Sequence, residues 1–316
     1  MNEAPSPSTV HTLDEEIVRH VDGSADFQIS DELTCHYDSA TQVLWSKLAP
    51  KGIPCFSPKL LREMERASAV VEGYFFGYEV ERPLRYIVVH SGTTGVFSLG
   101  GDLGYFQRLI ANQDRARLIE YGRSAINTTF RNYNAHNLKG VTTVALLEGD
   151  ALGGGFECAL SCDLVIAERH VRCSFPEVLF DMFPGMGAMS FLTRRVPRKV
   201  VNDLTRSGRQ FSADELLNMG VIDKVVETGQ GREAVARLAR KWEYQHEAHS
   251  AMNAVDRLLH PVTITELNEV VRLWVDCALQ LSPRGLEWMR RLHKQQLSTF
   301  GSGLSLVQAS SKLAVA

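Results

Sequence analysis

An α/β fold is predicted by three features of this 316-residue chain. Strand-length apolar runs, "RYIVVHSG" (85–92), "VTTVALLEG" (141–149) and "DLVIAE" (163–168), alternate with stretches whose apolar residues recur three and four apart. Each run has a continuous apolar centre (86–89, 144–147 and 164–167) with no polar alternate face, as strands have when helices cover both sides of their sheet. Beyond residue 260 the pattern turns helical, with long one-sided apolar stripes.

The elements follow in order. Residues 1–30 are polar with prolines and serines, and are expected to be a flexible N-terminal tail. "LTCHYDSATQVLWSKL" (33–48) reads as a hairpin about a Ser-Ala-Thr turn. Ser57-Pro58 is an N-cap followed by proline at the first helical position, and Leu60, Leu61, Met64 and Ala67 continue at helical spacing. Two further helices are marked by Leu103, Phe106 and Leu109, then by Ile119, Ile126 and Phe130. Ser212-x-x-Glu215 is a capping box, Gly220 a stop, and "VIDKVVE" a last strand. Thr263-x-x-Glu266 and Ser282-Pro283 open two amphipathic helices, whose stripes need cover from this chain or a neighbouring subunit. The expected divisions are a core over 31–208, a helical region over 209–300, and a weakly structured tail over 301–316.

Composition narrows the function. The chain is 44% hydrophobic and 22% charged, with a net charge of −3, which points to a globular protein without a nucleic-acid or anionic-membrane partner. No apolar run approaches the ~20 residues of a membrane span, and the first residues lack a signal-peptide core. The six cysteines (35, 55, 158, 162, 173, 277) have no framework spacing, so a reduced, cytoplasmic protein is expected. His246-x-x-His249 has metal-like spacing but lies in a polar stretch and reads as a solvated helix face. The basic clusters 194–199 and 289–294 read as solvated charge or as a guide for an acidic carrier.

Three successive glycines, in "LEGDALGGGFECALSCDLVIAE" (147–168), raise the question of chemistry. A dinucleotide fingerprint counted from Gly153 fails at Cys158. A P-loop counted from Gly149 has Gly155 where lysine belongs. Glu177 stands at a suitable distance for a ribose contact, yet no basic side chain lies nearby to hold phosphate. An oxyanion hole is the other use of bare backbone: an N–H at a helix start has no internal partner, and glycine leaves it open. "VFSLGGDL" (96–103) repeats the device, with paired glycines before a helix. Close helix–strand packing would also account for the glycines, and spacing alone supports both.

The tie is broken by likeness. "FSLGGDL", "EGDALGGGFECALSCDLVIA", "FPEVLFDMFPGMGA" and "FSADELLNMGVIDKVV", in that order, resemble the crotonase (enoyl-CoA hydratase/isomerase) superfamily. The resemblance implies a spiral of ββα repeats, a C-terminal helical trimerisation region and thioester substrates. It further implies an oxyanion hole from the N–H groups of Leu99 and Gly154, and two catalytic carboxyls, Glu157 and Glu177. Their separation, 177 − 157 = 20 residues, matches hydratases. Glu177 is assigned as the base for the α-proton and Glu157 as the acid for the departing hydroxyl, with the reverse left open.

Gly100, Gly101, Gly153 and Gly185 are expected around the thioester. Phe156, Met182, Phe183 and Met186 are candidate walls for the acyl chain, with ordinary core packing as the alternative. Gly101 in place of the usual alanine, Phe156 beside Glu157 and the long helical end are similar to the diffusible signal factor synthases. That subgroup implies dehydration of a 3-hydroxyacyl chain on acyl carrier protein to the cis-2-enoyl thioester, then hydrolysis to free acid. No cofactor is expected beyond the acyl carrier protein or CoA bearing the substrate, and no metal. A homotrimer or dimer of trimers and a pathway sensor protein are the implied partners. No G-x-S-x-G elbow supplies a second nucleophile. The rivals are a CoA-dependent enoyl hydratase without thioesterase activity, and a non-catalytic RNA-binding member, against which the charge of −3 and both glutamates argue.

Overall fold

The structure is a computed structural model that describes residues 18–302; residues 1–17 and 303–316, which include most of both expected tails, lie outside it. Strands β1 (Val18–Val21), β2 (Ser24–Gln28), β3 (Leu33–Asp38) and β4 (Val43–Leu48) form an antiparallel meander. The hairpin expected at 33–48 is β3–β4. Residues 18–28, expected as tail, are instead paired strand, because Ala25 and Phe27 alternate with polar neighbours and bury against the core.

Helix α1 (Pro58–Phe75) starts where Ser57 Oγ accepts the Leu60 N–H at 3.1 Å. The chain then repeats one unit: a strand in the large sheet, a strand in a small sheet, and a return by helix. β5 (Tyr86–Ser91) and β6 (Gly95–Ser98) lead to α2 (Leu103–Ala111) and α3 (Arg115–Tyr133). β7 (Thr142–Leu147) and β8 (Gly149–Leu152) lead to α4 (Gly154–Leu160). β9 (Leu164–Glu168) and β10 (Arg172–Ser174) lead to a 3-10 turn, Pro176–Phe180. Short helices α5 (Ala188–Leu192) and α6 (Arg198–Ser207) follow.

Then come β11 (Phe211–Ser212), α7 (Ala213–Asn218), with the expected capping box, and β12 (Lys224–Val226). The large sheet runs β1-β2-β3-β4-β5-β7-β9-β12, and the small one β11-β10-β8-β6. β4, β5, β7, β9 and β12 are mutually parallel. The core therefore extends past the expected boundary at 208: β11 and β12 are each an edge strand of one sheet.

The remaining helices are α8 (Gly231–Lys241), α9 (His246–Leu259), α10 (Ile264–Leu279) and α11 (Pro283–Ser302). α10 packs on α3, and α11 on α2 and the 3-10 turn, so their stripes are covered within the chain. None of the described helices is long and apolar enough to cross a membrane.

Two polar expectations change. His246 is buried, its Nε2 on the Gly140 carbonyl at 2.7 Å, while His249 stacks on Trp242, so the pair does not form a solvated face. Arg194 and Arg195 serve internal ties, to Glu266 at 2.8 Å and Asp223 at 3.5 Å.

Arg257 on α9 anchors that helix by donating to both Asp163 carboxylate oxygens, at 2.6 and 2.7 Å; Asp163 also accepts the Thr143 N–H at 2.8 Å. Burial raises the Asp163 pKa, and Arg257 does most to hold it down. Arg257→Ala strands this carboxylate and is expected to cost about 2 kcal/mol, allowing for partial solvation. That is ~4–8 °C in thermal midpoint, recovered in part by adding Asp163→Asn. An unchanged midpoint would show that the pair contributes nothing.

Candidate active site

The small sheet builds the site. β6, β8 and β10 are parallel neighbours, so their C-terminal ends emerge side by side. From these ends come Leu99–Gly101 ahead of α2, Gly153 ahead of α4, and the turn carrying Glu177. They open on a cavity of about 630 Å³.

The glycines now have specific reasons. Gly100 has φ +86°, and a Cβ there would lie 2.8 Å from the Leu152 carbonyl oxygen and 3.0 Å from the Gly154 nitrogen. Gly153 has φ +50°, and a Cβ would collide with Glu177 Oε1. A Cβ at Gly154 would meet Met186 Sδ at 2.5 Å, and one at Gly155 the Ser98 carbonyl oxygen at 2.5 Å. What approaches the triplet is the opposite glycine loop on one side and a catalytic carboxyl candidate on the other.

The Gly154 N–H heads α4 and has no intrahelical acceptor. Among the described residues neither it nor the Gly101 N–H has a hydrogen-bond acceptor, and both residues line the cavity. Leu99 does not fill its expected role. It lines the cavity, but its N–H is committed to the Pro54 carbonyl at 2.7 Å. The open amide of this turn is two residues later.

Glu157 sits in the first turn of α4, 1% exposed, with Oε1 accepting the N–H groups of Met186 at 2.7 Å and Ala188 at 2.8 Å. Burial raises its pKa, and the Ala188, Met186 and Gly187 amides pull it partly back. Glu177 has no such support, and its Oε2 is buried without a partner among the described residues. Burial and then the charge of Glu157 drive its pKa up, with only its own backbone N–H opposing. Charge on one carboxyl disfavours charge on the other, so the pair titrates together. The Met186 and Ala188 amides favour the ionised form at Glu157, which is therefore the better of the two at holding a charge.

The walls differ from expectation. Met186 lines the cavity and Gly185 lies beneath Trp274. Phe156 instead stacks on Phe175 at 5.1 Å, fully inside the core, and neither Met182 nor Phe183 is among the lining residues. The apolar lining comes from Phe106, Tyr121, Trp274, Trp288 and Leu292, on α2, α3, α10 and α11. The signal for Trp274 was present in the stripe of α10, but a stripe that faces a cavity reads the same as one that faces core. Among the described residues no group of three or more His, Cys, Asp or Glu side chains converges to hold a metal ion.

Comparison with known proteins adds the lineage. A model of the enoyl-CoA hydratase/isomerase family matches residues 50–281. The chain belongs to that family. A probable mitochondrial enoyl-CoA hydratase 2 of Arabidopsis thaliana is 28% identical over 171 residues, 54% of each chain. A carnitinyl-CoA dehydratase of Salmonella arizonae is 25% identical over 208 residues, 66% of this chain and 76% of the relative. This chain thus spans about half the length of the first of these and three quarters of the second. A crystal structure of enoyl-CoA hydratase from Bacillus halodurans superposes with a TM-score of 0.69 at 22% identity, covering 83% of this chain and 100% of that one. The human mitochondrial delta3-delta2-enoyl-CoA isomerase gives 0.68 at 17% identity, over 84% and 98%. At these identities the likeness establishes the crotonase fold.

Proposed function

We propose that the cavity binds the acyl thioester of a fatty acid and removes or adds water across C2–C3. One observation carries this reading: two carboxyls of raised pKa share a cavity with two unengaged amides from facing glycine loops. The C2 proton of a thioester is too weakly acidic for an unaided carboxylate. With its carbonyl oxygen on the Gly101 and Gly154 N–H groups, the enolate is stabilised, each donor contributing roughly 3–4 kcal/mol. Glu177 carries the C2 proton and Glu157 the proton of the C3 oxygen. With the proton on Glu177 and the charge on Glu157 the pair is set for addition of water; elimination is the same path run from the other protonation state.

Within this chemistry we assign the chain to synthesis of a cis-2-unsaturated fatty-acid signal of the diffusible signal factor type. A cytoplasmic 3-hydroxyacyl carrier-protein thioester is dehydrated, then hydrolysed to free acid by water activated at the same pair. The segments "LGGDL", "GDALGGGFECALSC", "PEVLFDMFPGMGA" and "LWVDCALQL" support this assignment, as does the apolar chamber closed by α10 and α11. A homotrimer is supported by the exposed stripe Met252, Val255, Leu258 and Leu259 on α9.

The second reading, a CoA-thioester hydratase that releases no acid, is favoured by the names of the relatives, both hydrating or dehydrating enzymes of CoA esters. Incubation with matched 3-hydroxyacyl carrier-protein and CoA thioesters, followed by mass spectrometry, separates the two. Enoyl thioester plus free cis-2-enoic acid from the carrier protein is expected. Turnover of CoA esters alone, with no free acid, would establish the second reading, and no turnover of either would refute both.

A further inference from the structure

The oxyanion amide assigned to Gly101 belongs to the peptide between Gly100 and Gly101, so its aim is set by the carbonyl at the other end of that plane. A turn with two adjacent glycines has little stiffness of its own. Here the Gly100 carbonyl accepts the Phe56 N–H at 2.8 Å, the Gly100 N–H donates to Ser98 Oγ at 3.2 Å, and the Leu99 N–H is tied to Pro54. The short loop 54–56, between β4 and α1, is therefore the brace of the glycine turn. That brace is itself held from α3. The Tyr121 hydroxyl donates to the Phe56 carbonyl at 2.6 Å, and the Asp102 backbone N–H lies against the phenol oxygen. Phe56 and Gly101 form an isolated parallel bridge, and a Cβ at Gly101 would stand 3.4 Å from the Tyr121 hydroxyl.

We infer that Tyr121 is a positioning residue: its hydroxyl locks Phe56, Phe56 orients the Gly100 carbonyl, and the Gly101 N–H is thereby pre-aimed into the cavity. The inference rests on the thioester reading for its catalytic consequence, but not for its structural one. The other amide is fixed without any side chain, because the Gly153 carbonyl accepts the Phe156 and Glu157 N–H groups of α4 at 2.9 and 3.0 Å. One donor of the hole is thus held by a helix and the other by a tyrosine. The hydrogen bond on the Gly100 carbonyl also polarises the peptide, making its N–H a stronger donor. The Tyr121 ring packs edge-on against Phe106 at 4.8 Å, so removing the hydroxyl alone leaves the packing intact.

Tyr121→Phe tests this with two readouts. Hydrogen exchange of the 98–103 segment is expected to rise at least ~10-fold while the 150–157 segment keeps its protection; equal exchange in variant and wild type would overturn the inference. In turnover, kcat is expected to fall ~10–100-fold with KM within ~3-fold, since a misaimed donor loses part of what a deleted one loses. The ultraviolet band of bound 2,4-hexadienoyl-CoA, red-shifted when its carbonyl is polarised, should move back toward its free position. A kcat and band equal to wild type, or a loss confined to KM, would overturn the role. If the wild type itself turns over no acyl thioester and shifts no band, the thioester reading fails, and the exchange result alone decides whether Tyr121 holds the turn.

Discussion

Glu177→Gln is expected to lower kcat on an acyl thioester by ~10²–10⁴-fold with KM nearly unchanged, and Glu157→Gln to do the same. Both replacements keep volume and remove the proton traffic. The two variants should differ in how their folded states respond. Glu157 uses Oε1 to close the Met186–Ala188 turn, and the carbonyl oxygen of glutamine can accept the same N–H groups at 2.7 and 2.8 Å. Glu177 ties no other segment in this way, its Oε2 being buried without a partner among the described residues.

The sign of the pH dependence follows from the raised pKa of Glu177. Between the unfolded value of ~4.3 and the raised folded one, the native state holds a proton that the unfolded chain has lost. Stability due to this group is therefore full below the unfolded pKa and falls as pH rises through the folded pKa. Glu177→Gln removes that loss, so the variant should melt at or above the wild-type midpoint at neutral to alkaline pH while nearly inactive. In the wild type, the pH–rate profile should have its limbs displaced above the ordinary carboxylate range. A profile flat from pH 5 to 9, or a Glu177→Gln enzyme with wild-type kcat, would remove the pair from the mechanism.

That Glu157 and Glu177 lie on one cavity was legible in the sequence because each is pinned by backbone features that leave a mark there. Glu157 follows three glycines that must head a helix, and Glu177 follows a proline that starts the next turn. The parallel sheet was readable for the same reason: β5, β7 and β9 are buried on both faces and so carry no polar alternation. Leu99 was misassigned because the choice between it and Gly101 depends on a carbonyl of Pro54, 45 residues earlier (99 − 54), in a loop without any regular pattern. The apolar lining of the cavity leaves no such mark, because Phe106, Tyr121, Trp274 and Trp288 meet only through packing of α2, α3, α10 and α11. An apolar stripe records that a face is covered, and carries no record of whether atoms or a cavity cover it. The strand pair at 18–28 escaped notice because half of its residues face solvent and its turn, Asp22-Gly23, lies in a polar stretch.

Gly100→Ala is expected to reduce kcat by ~10²–10³-fold, as much as deleting an oxyanion donor, and to cost ~1–3 kcal/mol of stability. Two effects combine at this position. The backbone has φ +86°, which a residue with a Cβ adopts at a cost, and the new methyl would face the Leu152 carbonyl oxygen at 2.8 Å and the Gly154 nitrogen at 3.0 Å. Neither neighbour is the end of a flexible side chain; both belong to the β8–α4 junction that presents the second amide. Relief must therefore come from parting the two glycine turns, which moves both N–H donors away from a common oxygen position. Gly140→Ala separates the two contributions, since Gly140 has φ +80° with nothing within 4 Å of an added Cβ. It should lose about 1 kcal/mol of stability from strain and keep its kcat. If Gly100→Ala and Gly140→Ala lost the same stability and neither lost turnover, the close approach of the two turns would be a packing device, and the oxyanion assignment would fall with it.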